Sequence, residues 1–211
     1  ASASSSDAGY YRIATVTDHF NTAQARTAYL EYSSDGKLVK ITDVIGMVST
    51  FNYDFTSGLM VGMTTPYGTT AFAGGGTGAY RWLEATDPIG QKELLEFNQS
   101  TTLPGINVSE DQALVPDLPG VLPPLQNLNL WYRNSFFWSK KVMQEMGGVI
   151  TPESYVKADI YHWCHSSLSG LASGTLESLK RPLENRVWFR YPGQGPNAID
   201  AWTEGTSTQP A

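Results

Sequence analysis

The chain has 211 residues with 20 acidic and 14 basic side chains, a formal charge of −6. No basic stripe is available to neutralise phosphates, so a nucleic-acid partner is not expected. Charged residues are only 16% of the chain, against about 25% in ordinary globular proteins, while 20 glycines, 12 prolines and 12% aromatics favour turns and strands over helices. No apolar run approaches the ~18 residues of a spanning helix, and the single cysteine, Cys164, excludes an intramolecular disulfide.

Residues 1–9, opening Ala1-Ser2-Ala3-Ser4-Ser5-Ser6, are small and polar and are expected to form a flexible N-terminal segment. Residues 10–100 carry a recurring unit of 22 residues. Gly46, Gly68 and Gly90 are spaced by that step, and so are Thr42, Thr64 and Thr86. Ala14-Thr15-Val16-Thr17-Asp18 is an earlier copy with a longer offset. Within a copy, Val39 and Ile41 alternate with Leu38, Lys40 and Thr42, and then Met47, Ser49, Phe51 and Tyr53 with Val48, Thr50 and Asn52. Such period-two alternation of β-branched and aromatic residues predicts strands. Asp43-Val44-Ile45-Gly46 and Asp87-Pro88-Ile89-Gly90 predict tight reversals, because aspartate caps local backbone N–H groups and glycine supplies a positive φ. Each unit is thus a two-stranded hairpin, and a fixed period implies units that bury their faces against neighbours. The run Gly74-Gly75-Gly76-Thr77-Gly78-Ala79 is expected to be a flexible loop between units. No capping unit precedes the array, so the sequence reads as a piece of a longer chain, or one whose free sheet edges a partner covers.

Residues 101–130 hold five of the twelve prolines and should leave the sheet as an extended strap or linker. Residues 131–195 are rich in aromatics and predict further hairpins of the same sheet. One has arms Trp131–Lys141 and Tyr155–Ser166, with one or two helical turns over Ser139–Met146 as the competing reading. A second joins Gly174–Leu179 to Arg186–Tyr191. Residues 196–211 read as a tail.

Candidate chemistry is sparse. His162, Cys164 and His165 are the only metal-capable cluster, yet on a strand His165 points away from the other two, so no metal and no cofactor is expected. The same geometry does not supply a cysteine nucleophile with a base and an oxyanion donor. The aspartates Asp18, Asp43, Asp54 and Asp87 recur at turn positions, where local hydrogen bonding accounts for them better than catalysis. With Gly46, Gly68 and Gly90, the residues Asp18, Asp43 and Asp87 are the repeat's turn residues. A ligand-binding face, if present, would use Trp131, Tyr132, Trp138, Tyr161, Trp163 and Trp188, whose rings can stack on apolar surfaces while their polar tips hydrogen-bond.

The segments Gly36-x-Leu38, Ile41-Thr42-Asp43, Gly46 and Phe51-Asn52-Tyr53-Asp54 resemble the RHS, or YD (tyrosine–aspartate), repeat of large bacterial proteins. Arg133–Trp138, Ile160–Trp163 and Pro182–Trp188 resemble further segments of such proteins. Phe51 stands where the repeat has its first tyrosine, the copy at Thr65-Pro66-Tyr67-Gly68 is out of register, and the next ends in Leu95-Glu96-Phe97 without a tyrosine. The resemblance implies an all-β chain of consecutive antiparallel hairpins, part of a wound sheet or shell. It further implies a structural wall segment of a secreted or cell-surface protein, without catalysis of its own. The implied partners are the remaining repeats of a longer chain or a homo-oligomer, with an enclosed toxin or effector. A surface glycan held on exposed aromatics is the alternative.

Overall fold

The computed structural model describes residues 12–18, 25–100, 114–115, 125–126, 130–165 and 171–189. The predicted N-terminal segment 1–9, most of the strap 101–130 and the tail 196–211 lie outside them. The first eight strands are β1 (Thr15–Asp18), β2 (Arg26–Tyr32), β3 (Leu38–Thr42), β4 (Val48–Tyr53), β5 (Met60–Thr65), β6 (Gly68–Thr77), β7 (Tyr80–Thr86) and β8 (Lys92–Ser100). Two-residue strands β9 (Leu114–Val115) and β10 (Leu125–Gln126) pair with each other. Then come β11 (Tyr132–Trp138), helix α1 (Lys140–Glu145), a 3-10 helix (Pro152–Lys157), β12 (Asp159–His165), β13 (Ala172–Lys180) and β14 (Val187–Trp188). The fold is all-β: β1 to β8 and β11 to β14 make one open antiparallel sheet in sequence order. By compactness the chain divides into Ala1–Ala73 with Ala85–Gly90, and Gly74–Glu84 with Gln91–Ala211.

The first unit contains the repeat's turns. Asp43 opens a reversal in which the Gly46 N–H donates to the Asp43 carbonyl at 3.1 Å, while Asp43 Oδ1 accepts from the N–H groups of Ile45 and Met47. Asp87 builds the same turn, with Gly90 N–H on its carbonyl at 2.9 Å and Ile89 N–H on Oδ1. Both glycines hold φ near +85°, which a side chain would oppose. Gly68 keeps the 22-residue step but does a different job. Thr65 pairs directly with Gly68 across the two-residue turn Pro66-Tyr67, and a Cβ on Gly68 would lie 2.5 Å from the Pro88 ring. Asp18, by contrast, ends β1 opposite Arg26.

Pairing registers place Val16, Ala28, Leu30, Ile41, Phe51 and Met63 on one face of this unit. The opposite face carries threonines, with Thr17···Thr27 at 3.0 Å and Thr64···Thr69 at 2.8 Å, and the Lys40–Glu31 ion pair at 2.7 Å. Among the unit's described residues only Gly62 is buried. This is a single layer, one face mainly apolar and the other mainly polar, though Tyr29 and Val48 lie on the polar side, with no buried cluster among the described residues.

The second unit contains the core. Leu130, Phe136, Trp138, Met143, Tyr155, Ala158 and Ile160 form one buried cluster. The expected hairpin 131–166 is present as β11 and β12, but its arms are shorter than predicted because its connection is helical. Ser139 caps α1 by accepting from the Val142 N–H, and Pro152 opens the 3-10 helix after the Thr151–Ser154 capping box. Tyr155, predicted to be in a strand, therefore lies in the helical cap and packs edge-on against Phe136 and Trp138, at centroid distances of 4.8 and 5.1 Å. The second predicted hairpin forms between β13 and β14, with β14 limited to Val187–Trp188.

The glycine run is not a loop. Gly74, Gly75 and Gly76 belong to β6, and the turn into β7 is confined to the residues after Thr77. The indole of Trp82 explains them: a Cβ on Gly75 would lie 2.8 Å from Trp82 Nε1. Position 75 is one repeat step from Tyr53 and from Phe97, and those two rings share a device. Lys37 Nζ sits 5.4 Å from the Tyr53 ring centre, and the Arg81 guanidinium 4.3 Å from that of Phe97. In both hairpins a cation at the start of the first strand covers an aromatic ring at the end of the second. Arg12 and Tyr32 do the same at 5.7 Å. The tyrosines also donate to the carbonyl beside the cation, Tyr53 to Leu38 at 2.9 Å and Tyr32 to Ile13 at 3.0 Å. The third copy lacks the ring at position 75, and Trp82 fills the place from the neighbouring strand. Gly75→Ala should therefore dislodge the indole and lower stability by about 1–3 kcal/mol. Urea unfolding followed by circular dichroism measures that loss.

Candidate functional site

Two buried polar centres lie on the face of the second unit that the helical cap covers. The first is a cavity of about 360 Å³ lined by Tyr80, Trp82 and Glu84 of β7, Leu94 and Glu96 of β8, and Ile150 and Tyr155 of the cap. Alternation along two neighbouring strands brings these residues to one surface. Glu96 is 4% exposed and accepts a 2.7 Å hydrogen bond from the Tyr155 hydroxyl and a second from Tyr80. Burial pushes its carboxyl above the ordinary range, although both phenols pull the other way. The phenols of Tyr155 and Tyr80 are pushed up in turn, by burial first and then by the carboxylate. Glu84 is ion-paired with Lys92 at 2.9 Å.

The second centre joins β11, β12 and β13. His162 is wholly buried, with Nδ1 3.0 Å from Asn134 Oδ1 and Nε2 3.2 Å from Glu177 Oε2. Asn134 donates through Nδ2 to the Leu130 carbonyl. Its oxygen therefore faces the imidazole, and Nδ1 must carry the proton. Burial holds the imidazole below its usual range, against the pull of Glu177. Arg133 adds its charge from a left-handed backbone, φ +58°, a conformation costing a side-chain-bearing residue about 1–2 kcal/mol. Its Nε donates to the Trp163 carbonyl at 3.0 Å, while Nη2 is buried without a hydrogen-bond partner. Burial lowers its guanidinium too, opposed by Glu177. Arg186 donates to the buried Ser178 hydroxyl at 3.1 Å. The Nδ1 hydrogen bond to Asn134 ties β11 to β12, while Nε2 and Glu177 Oε2 lie 3.2 Å apart without a hydrogen bond as long as the ring is neutral.

The six aromatics proposed from sequence are divided between surfaces. Trp138 is fully buried, its indole N–H donating to the Ser154 carbonyl at 3.0 Å, and Trp131 and Trp188 pack against the same core. Tyr161 and Trp163 stack on each other at 6.5 Å on the opposite face, where Trp163 donates to Ser135 Oγ. Tyr132 is 44% exposed. His162 and Cys164 share the buried side of β12; among the described residues no three His, Cys, Asp or Glu side chains converge as a metal site. Sequence reasoning missed Glu96, Tyr80 and Trp82. The available signal was a lone glutamate between Leu95 and Phe97, in a strand otherwise apolar at that point. No model of a known protein family matches the chain, and no curated protein matches it.

Proposed function

We propose that this chain is a wall segment of RHS (YD-repeat) type in a secreted or cell-surface protein, built to enclose or support and carrying no reaction centre of its own. The observation behind the reading is that one repeat step equals one hairpin, with the same turn and the same cation-over-ring clamp returning after two steps. The Asp43–Gly46 and Asp87–Gly90 turns are separated by 44 residues, as are the Lys37–Tyr53 and Arg81–Phe97 clamps. Repeats of this kind gain stability from neighbours. The half-exposed row Leu30, Ile41, Phe51 and Met63 is the surface that neighbours cover. Further repeats of a longer chain or a second copy complete the sheet at β1 and β14, its two edges.

Engineered cysteines test this, because the one native cysteine is buried. Met63→Cys reports on the apolar face and Thr50→Cys on the threonine face. In the isolated chain both should react with a maleimide. In the protein as its source cell makes it, Met63→Cys should be protected until denaturant is added. Equal labelling of Met63→Cys in both preparations contradicts the wall reading.

A further inference from the structure

The Glu96 cavity has a chemistry that a plain partition does not call for. Its volume of about 360 Å³ falls within the ~300–1,000 Å³ of small-molecule sites. Three of its lining side chains are aromatic and two are carboxylates, and no lysine, arginine or histidine lines it. The Lys92 ammonium is held by Glu84 at 2.9 Å. Glu96 has hydrogen-bond donors in Tyr80 and Tyr155 but no ion-pair partner among the described residues, and a buried carboxylate satisfied only by neutral phenols keeps an uncompensated charge. An anion would meet the Glu96 carboxylate with no cationic side chain in the lining to offset it. A neutral polyol would compete for the phenols and leave the charge uncompensated. A cation removes the cost, and tyrosine and tryptophan rings are the surfaces that attract one when it is desolvated.

We propose that this cavity binds a small organic cation, an alkylammonium or guanidinium head, with Glu96 as counter-ion and Tyr80 and Trp82 as aromatic walls. Glu84, already neutralised by Lys92, shapes the rim and adds little charge. A free amine and an arginine or lysine side chain present the same head, so both are tried.

The test is calorimetric titration of the full chain with tetramethylammonium chloride and with N-acetylarginine amide, using sodium chloride at equal ionic strength as the reference. Saturable one-site binding is expected with at least one of the two. The tighter probe tells a free ammonium from a peptide side chain. Because the cation binds the ionised carboxylate, affinity should fall as pH drops through the raised range of Glu96 and level off above it. Glu96→Gln should weaken binding about tenfold or more and abolish the pH dependence. Tyr80→Ala, at a position 44% exposed and so tolerant of truncation, should weaken binding while keeping that dependence. Heats no larger than with sodium chloride overturn the proposal. So does Glu96→Gln binding as the parent does, or a neutral sugar binding in the cavity with pH-independent affinity while both cations fail.

Discussion

Trp138→Ala should be among the most damaging single changes in the chain, lowering stability by about 3–5 kcal/mol. The side chain is completely buried, stacks 6.1 Å from Phe136 and edge-on to Tyr155, and its indole N–H donates to the Ser154 carbonyl. Alanine removes the ring contacts and leaves that carbonyl unsatisfied inside the cap. For a chain of this length the loss corresponds to a fall in Tm of about 6–20 °C. Trp138→Phe restores the ring without the donor and should recover most of the difference. Thermal unfolding by circular dichroism measures both. A loss below 1 kcal/mol for Trp138→Ala would show that the cap is not held on β11 as described.

Glu177→Leu is the second large effect. It removes the one carboxylate facing Arg133 and His162, leaving a buried guanidinium without an opposing charge, and should cost about 3–5 kcal/mol in urea unfolding. The same network sets a pH dependence. His162 is held below its usual value, so in the folded chain it resists a proton that the unfolded chain accepts. The unfolded state then binds more protons once pH drops below about 6.5, the ordinary histidine value, and stability falls from there until the folded histidine itself titrates. Above that pH both states are neutral and the term vanishes. Between pH 7.5 and 5.5 the parent should lose stability, and His162→Gln should lose less across the same interval. Equal slopes would show that His162 is not the group responsible.

The part of the fold readable from sequence is the part fixed by local chemistry. Alternation in Val39–Thr42 and Met47–Tyr53 and the Asp-to-Gly spacing of the turns are short-range features, and they place β3, β4, β7 and β8 correctly. Glycine propensity misled at 74–76. A glycine run between repeat units reads as a loop, yet tertiary packing reverses that preference where an indole from the next strand occupies the missing side chain's space. The clamps were legible in principle: Lys37 precedes Tyr53 by 16 residues and Arg81 precedes Phe97 by the same interval. Neither buried polar centre was legible. Asn134, His162 and Glu177 come from three strands, and Tyr155 reaches Glu96 across 59 residues, separations that no local pattern encodes.

Deleting residues 43–64 removes one repeat step and joins Thr42 to Thr65, so the Pro66-Tyr67 turn runs from β3 directly into β6 with strand directions and faces preserved. Hydrogen exchange and thermal unfolding of this variant bear on the repeat most directly. If equal steps are equivalent hairpins, the shortened chain unfolds cooperatively and keeps slow-exchanging amides in β11 and β12. A control lacking only residues 58–68 removes the single strand β5, so every later strand meets β1–β4 with its direction reversed, and it should not fold. A shortened chain that exchanges throughout like an unfolded one, or a control that folds as well as it does, contradicts the account.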